Sequence, residues 1–180
     1  MQKLMPTFAP ALGAVLAGSS FATVAAAATG DVQLTIELPR LPVAEYHKPY
    51  VAIWLEKPGS NVAATQLALW YDVKKPRNGG AKYLRDMRQW WHAGGSELSL
   101  PVDGISGATR APGEQAIALG PQLAKAALPA GEYEVVVELA REAGGREVKR
   151  LPLSWPIKAA AVQHAQGDHE VGRIDLEVKP

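Results

Sequence analysis

Eight residues in the middle of the chain, Asp103-Gly104-Ile105-Ser106-Gly107-Ala108-Thr109-Arg110, set a hydroxyl nucleophile beside very small neighbours. A threonine hydroxyl attacks phosphorus only when a base or metal activates it and nothing crowds the approach. Gly107 and Ala108 put almost no bulk beside Thr109, and Gly107 has access to backbone angles closed to other residues. Asp103 and Ser106 carry short oxygens that can bond nearby backbone and shape a tight turn. Pro101 on one side and Pro112-Gly113 on the other set the segment apart from regular secondary structure. The expectation is an exposed, defined loop whose threonine a modifying enzyme can reach.

The stretch resembles the recognition site for covalent flavin attachment used by bacterial FMN transferases of the ApbE type. That site reads Asp, two loose positions, Ser or Thr, Gly, Ala, then the acceptor Thr or Ser, and every fixed position is filled here. Average residue usage gives a chance match in a chain of this length on the order of one in a thousand, which singles the stretch out. The resemblance implies FMN carried on Thr109 through a phosphoester, with Asp103, Ser106, Gly107 and Ala108 recognised by the transferase. The same signature marks the flavin-bearing subunits of the sodium-pumping quinone reductase and of Rnf-type complexes. Arg110 is either a charge-assisted partner for the flavin phosphate or an ordinary surface arginine.

Other constellations are weaker. His47, His92, His164 and His169 are the only histidines. His164 and His169 flank Asp168, but no pair has zinc-ligand spacing, so a solvated loop is the expectation. Gly104-Ile105-Ser106-Gly107-Ala108 lacks the last glycine of a hydrolase nucleophile elbow and its strand-to-helix setting. Lys149-Arg150 and Lys74-Lys75 read as solvated faces.

Composition agrees with an exported redox carrier. Residues 1–28 read as a cleaved signal peptide, with Lys3 as their only charge, a long run of small apolar residues and Ala25-Ala26-Ala27-Ala28 at the cleavage region. The mature protein is therefore expected in the periplasm. Of the 19 Lys and Arg residues only Lys3 lies in that leader, so the rest carries 18 basic and 18 acidic side chains. That balance argues against nucleic acid as a partner. The chain has no cysteine, which excludes disulfides, lipoprotein anchoring, c-type haem attachment and thiolate-held iron–sulfur clusters. An electron carrier of this composition needs an organic cofactor or one bound without sulfur.

The elements that must hold the site are mostly strands. Val32, Leu34, Ile36 and Leu38 alternate with polar residues as a half-buried strand does. Residues 50–56 and 62–72 read as a hairpin across the turn Pro58-Gly59-Ser60-Asn61. In it Thr65, Leu67, Leu69 and Tyr71 share a face, and Trp54 and Trp70 are the more exposed side. Residues 81–93 are the one convincing helix, with Tyr83, Leu84, Met87, Trp90 and Trp91 as its apolar stripe and Gly94-Gly95 as its end. Trp90, Trp91 and Tyr83 are either core or flat partners for an isoalloxazine ring. Leu98-Ser99-Leu100 suggests a short strand, 114–119 another, and 122–128 is ambiguous. Residues 132–139 form the cleanest strand, with Tyr133, Val135, Val137 and Leu139 inward and Glu134 and Glu138 outward. Gly144-Gly145 turns into 147–155, an edge or bulged strand because of Pro152. Residues 159–169 read as a polar loop and 171–178 as the last strand. The whole predicts a mainly β protein, an immunoglobulin-like antiparallel β-sandwich with one inserted α-helix, over a single domain at 31–180.

Beyond the loop, the mature chain resembles a family of predicted periplasmic proteins of unknown function, often encoded with PepSY-type membrane proteins and a flavin transferase. Residues 50–56, Leu67-Ala68-Leu69-Trp70, Lys82-Tyr83-Leu84 with Trp90-Trp91, Ser106-Gly107-Ala108-Thr109-Arg110 and Gly131-Glu132-Tyr133 carry that resemblance. Gly120-Pro121-Gln122 departs from the Asp-Gly type of turn found there in the family, which touches the sandwich turn and not the flavin site. The resemblance implies a flavinylated electron carrier, with an ApbE-type transferase and a PepSY-type or other membrane redox protein as partners. The alternative is a cofactor-free binding module that docks to a membrane protein or a carbohydrate through exposed Trp54 or Trp70.

Overall fold

The alternation beginning at Asp31 buries Val32, Leu34, Ile36 and Leu38 completely or nearly so. These residues form strand β1 (Asp31–Leu38) of the computed structural model, which describes residues 30–180. The expected signal peptide at 1–28 lies outside the described residues. There follow β2 (Tyr50–Glu56), β3 (Ala63–Tyr71), a helical insert, β4 (Ser106–Ala108), β5 (Gly113–Ala118), α2 (Gly120–Lys125), β6 (Gly131–Ala140), β7 (Arg146–Trp155), β8 (Ala161–Gln166) and β9 (Arg173–Lys179). The insert holds α1 (Arg88–His92) between short 3-10 turns.

The strands make two sheets, ordered β5-β1-β9-β8 and β4-β3-β2-β6-β7. Side chains of both sheets meet in one core that includes Leu34, Ile36, Ile53, Val135, Val137 and Leu176. This is the expected mainly β sandwich. Its pairs are antiparallel except β3 with β4, which run parallel. A parallel pair needs a crossover of a dozen or more residues, and the insert between Tyr71 and Ser106 supplies it.

The insert also adds a third layer. Leu84, Met87, Trp90 and Ala93 pack on the outer face of the five-stranded sheet, against Ala52, Trp54, Leu69, Tyr71 and Val136. Trp54 and Trp70, expected on the exposed side, are instead buried at 0% and 3% exposure. Trp54 lies under the insert and Trp70 faces the other sheet. The unbroken apolar run of β2 is the pattern of a strand buried on both faces.

Five further expectations are corrected. A register shift between Ile53 and Trp54 in the β2–β3 pair leaves Leu67 unpaired, so Leu67 and Leu69 face opposite layers. Such a bulge re-aims every later side chain. The helix expected at 81–93 is two pieces, a 3-10 turn at Ala81–Asp86 and then α1, divided at Met87, where ψ is 77°. Its stripe still buries Leu84, Met87 and Trp90, and Gly94 ends it at φ 118° as expected. Glu138, expected outward, is fully buried. Its carboxylate accepts the N–H groups of Gln89 at 3.2 Å and Trp90 at 2.6 Å and pairs with Arg146, which pins the start of α1 to β6. Residues 161–166, read as loop, are strand β8, while 98–100 form no strand.

Candidate functional site

The segment from Asp103 to Arg110 is half turn and half strand. Val102 O accepts the N–H of Ile105 at 3.3 Å and of Ser106 at 2.9 Å, closing a turn around Asp103 and Gly104. The Ser106 hydroxyl accepts the Val102 N–H at 2.9 Å, so Ser106 does shape the turn. Gln122 on α2 donates to Gly104 O at 2.6 Å and fixes the turn to the body. Asp103 is exposed and makes no hydrogen bond or ion pair among the described residues.

Ser106, Gly107 and Ala108 then lie as β4 beside Leu69, Trp70 and Tyr71. Leu69 N–H donates to Ile105 O at 2.9 Å and Thr109 N–H to Tyr71 O at 3.3 Å. The expectation that the segment lies wholly outside regular structure is therefore corrected: three of its positions are an edge strand. The flanking prolines bound this strand without interrupting it. Its partner is thirty-odd residues away in the chain, beyond the reach of local turn signals. The conformation closed to other residues belongs to Gly104, at φ 74°, and not to Gly107. Gly107 instead faces the Trp70 ring, where an added Cβ would sit 3.5 Å from Cδ1.

Thr109 is half-buried and lines a cavity of about 230 Å³ at the end of the five-stranded sheet. Tyr46, Lys48 and Tyr50 come from the approach to β2, Asp72 and Lys75 from the exit of β3, Tyr83 and Asp86 from the insert, and Arg141 and Glu142 from the end of β6. The Tyr50 ring is set edge-on to Tyr71, with centroids 6.4 Å apart at 69°. Burial raises the Tyr46 and Tyr50 phenols above their ordinary pKa. The ammonium groups of Lys75 and Lys82 lie 4.8 Å and 4.7 Å from the Tyr83 ring centre, within cation–π range.

The cations around the site divide into committed and free. Arg141 is held by Glu170 through two hydrogen bonds, at 2.9 Å and 3.0 Å. Arg110 lies flat on Trp70, with Cζ 4.0 Å from the ring centre, and Nη1 donates to Ala116 O at 3.4 Å. Its alternative role beside a flavin phosphate thus competes with a stack already made. Lys48 and Lys75 enter no ion pair among the described residues. They are the charges that the sequence reading missed, together with Tyr46 and Tyr50, because nothing in the spacing of 46–50 and 72–75 shows that they converge on Thr109.

Of the three candidate aromatic partners, Tyr83 alone lines the cavity with Thr109. Trp90 is fully buried core, its indole N–H donating to Gln66 Oε1 at 2.8 Å. Trp91 is half-buried beside it, ring centres 6.2 Å apart. The burial of Trp54 and Trp70 also removes the recognition surface on which the cofactor-free alternative rested. His164 pairs with Asp175 at 2.6 Å, and no group of three metal-ligating side chains stands together among the described residues.

The family described as a predicted periplasmic protein family, DUF2271, matches residues 31–173, and the chain belongs to it. No curated protein and no solved structure matches the chain.

Proposed function

We propose that this periplasmic protein is an electron carrier whose FMN is joined to Thr109 by an ApbE-type transferase. The observation that supports this most directly is the position of Thr109. Its hydroxyl follows an edge strand of small residues, half-buried, at the wall of a cavity lined by Tyr46, Tyr50 and Tyr83. Lys48 and Lys75 in the same wall offer unpaired positive charge to a phosphodiester. These residues fit a flat, anionic, aromatic group.

In the attachment step the Thr109 oxygen bonds to the phosphorus nearest the flavin in FAD, AMP leaves, and the hydroxyl gives up its proton. The Thr109 hydroxyl has no hydrogen-bond partner among the described residues, so the transferase supplies the base or metal that activates it. Asp103, exposed and unpaired, is free to meet the transferase, with Ser106, Gly107 and Ala108 alongside. Bound FMN supplies reversible one- and two-electron chemistry that the side chains of this chain lack. The protein positions it, shields part of it from water, and keeps it from diffusing away outside the cell. Electrons would then pass between a PepSY-type or other membrane redox protein and an extracytoplasmic acceptor.

The test is the intact mass of the exported protein made with a flavin transferase, beside Thr109→Ala. An FMN-sized increase in the parent that is absent from the variant is the expected result. An unmodified parent, in cells that flavinylate a control substrate, sinks the proposal.

A further inference from the structure

We infer that the cavity beside Thr109 is the seat of the tethered isoalloxazine ring, with Tyr46, Tyr50 and Tyr83 against the ring and Lys48 and Lys75 at the phosphodiester. This rests on the reading of Thr109 as the flavin acceptor and goes beyond it, since an acceptor threonine requires no seat.

The cavity draws its polar atoms from five separate segments, and two of its cations have no carboxylate partner among the described residues. Arg141 and Arg110, the neighbouring guanidiniums, are already engaged by Glu170 and Trp70. The single negative charge of a phosphodiester on Thr109 therefore falls to Lys48 and Lys75. Lys75 now sits over the Tyr83 ring, a weak contact that an anion readily replaces. Moving Lys75 to the phosphate removes one of the two ammonium groups on the Tyr83 ring, the other being Lys82 at 4.7 Å, which is as readily displaced.

The polar end of an isoalloxazine carries two carbonyls and one N–H. Phenol O–H groups of Tyr46 and Tyr50 suit the carbonyls, and Asp72, Asp86 or Glu142 can accept the N–H. The mixture of charges in the cavity, which suits no simple anion, suits that edge. At about 230 Å³ the cavity is smaller than the roughly 300–1,000 Å³ that encloses a whole drug-sized ligand. It covers part of the ring and leaves part in solvent, where a redox partner can approach. Strong intrinsic affinity is unnecessary. A short tether gives an effective concentration on the order of millimolar, so a seat of millimolar affinity is about half filled.

The experiment compares the flavinylated full chain with the flavopeptide released from the same sample by exhaustive proteolysis. Both carry the same linkage, and only the intact protein has the seat. The expected result is quenched fluorescence, high anisotropy and a visible circular dichroism band in the intact protein, all lost in the peptide. Tyr83→Leu, on the surface insert, should raise the unseated-to-seated ratio about fivefold, the size of one lost aromatic contact. Lys75→Glu should act in the same direction, while far-ultraviolet circular dichroism stays that of the parent. Intact protein and flavopeptide with identical fluorescence and dichroism would overturn the seat while leaving flavinylation intact. Independently, unmodified Thr109→Ala protein is titrated with FMN itself. Saturable quenching near millimolar, weakened by Tyr83→Leu, supports the seat even without a transferase, and no saturable quenching, or quenching unaffected by Tyr83→Leu, overturns it.

Discussion

Glu147 and Asp103 are both acidic residues at the ends of strands, and their surroundings are opposite. The Glu147 carboxylate accepts the N–H groups of Asp168, His169, Glu170 and Val171 at 2.6–3.2 Å, with the Lys149 ammonium 3.1 Å away. Asp103 sits in the turn closed on Val102 O and makes no hydrogen bond or ion pair among the described residues. The contrast extends to the cations. On β6 to β9, Arg141, Arg146, Lys149, Arg150 and Arg173 each pair with a carboxylate. Residues 72–92 carry six basic and two acidic side chains, and none of the eight enters an ion pair among the described residues. One region closes on itself and builds the fold. The other is tied down through N–H and indole hydrogen bonds and apolar packing, while its charged side chains stay out of ion pairs among the described residues.

The sharpest way to break the comparison is Glu138→Ala, where the self-satisfied side reaches across to hold the insert. Removing this fully buried carboxylate leaves two N–H groups at the start of α1 without their acceptor, while Arg146, about a third exposed, returns to water. Losing hydrogen bonds to a buried charged acceptor costs about 2–4 kcal/mol, which in a chain of this size lowers Tm by roughly 5–10 °C. A fall of only a degree or two in a thermal melt would show that apolar packing alone keeps the insert in place.

Glu147→Gln tests the clasp itself. Burial pushes the Glu147 carboxyl up, but the N–H groups of Asp168, Glu170 and His169 with Lys149 more than reverse this and bring it from 4.5 to about 2. The side chain is 9% exposed, so little of this is lost to solvent screening. A depressed carboxylate stabilises the fold above its unfolded pKa and loses that contribution as pH falls through the folded one. The window is therefore about pH 4.5 down to about 2. Urea unfolding should find the variant about 3 kcal/mol weaker at pH 7. The gap should narrow steadily below pH 4.5, and a gap that ignores pH would mean shape and not charge holds the 168–171 loop.

How much of this was readable beforehand follows from the range of each interaction. The strands of β1, β6 and β9 were legible because period-two alternation is a local pattern. Glu138 fitted the same alternation and was placed on the solvent side, because the insert that covers it arrives from 49 positions away. The bulge at Leu67 is invisible to a pattern that assumes constant pleat. The segment at 103–110 was legible as a string of small and polar residues. Its parallel pairing with β3 was not, since that depends on how the whole insert returns. Tyr46, Lys48, Tyr50 and Lys75 are unremarkable one by one and come together only where five chain segments meet.

The smallest stability effect is the most informative about the open region. Gly104 and Gly107 stand three residues apart and differ in what the fold asks of them. Gly104 has φ 74°, so Gly104→Ala forces a left-handed backbone and should cost about 1 kcal/mol. Gly107 lies in β4 without a positive φ, and an added Cβ meets Trp70 at 3.5 Å, an ordinary contact. Gly107→Ala should change stability by less than about 0.5 kcal/mol. If the transferase reads the small residue beside the acceptor, Gly107→Ala will nonetheless lose most of its FMN mass while melting like the parent. Full flavinylation of Gly107→Ala would place recognition elsewhere in the segment, with Asp103 next to be replaced. A large fall in Tm would return Gly107 to the fold and erase the difference between the two regions at the position where it matters most.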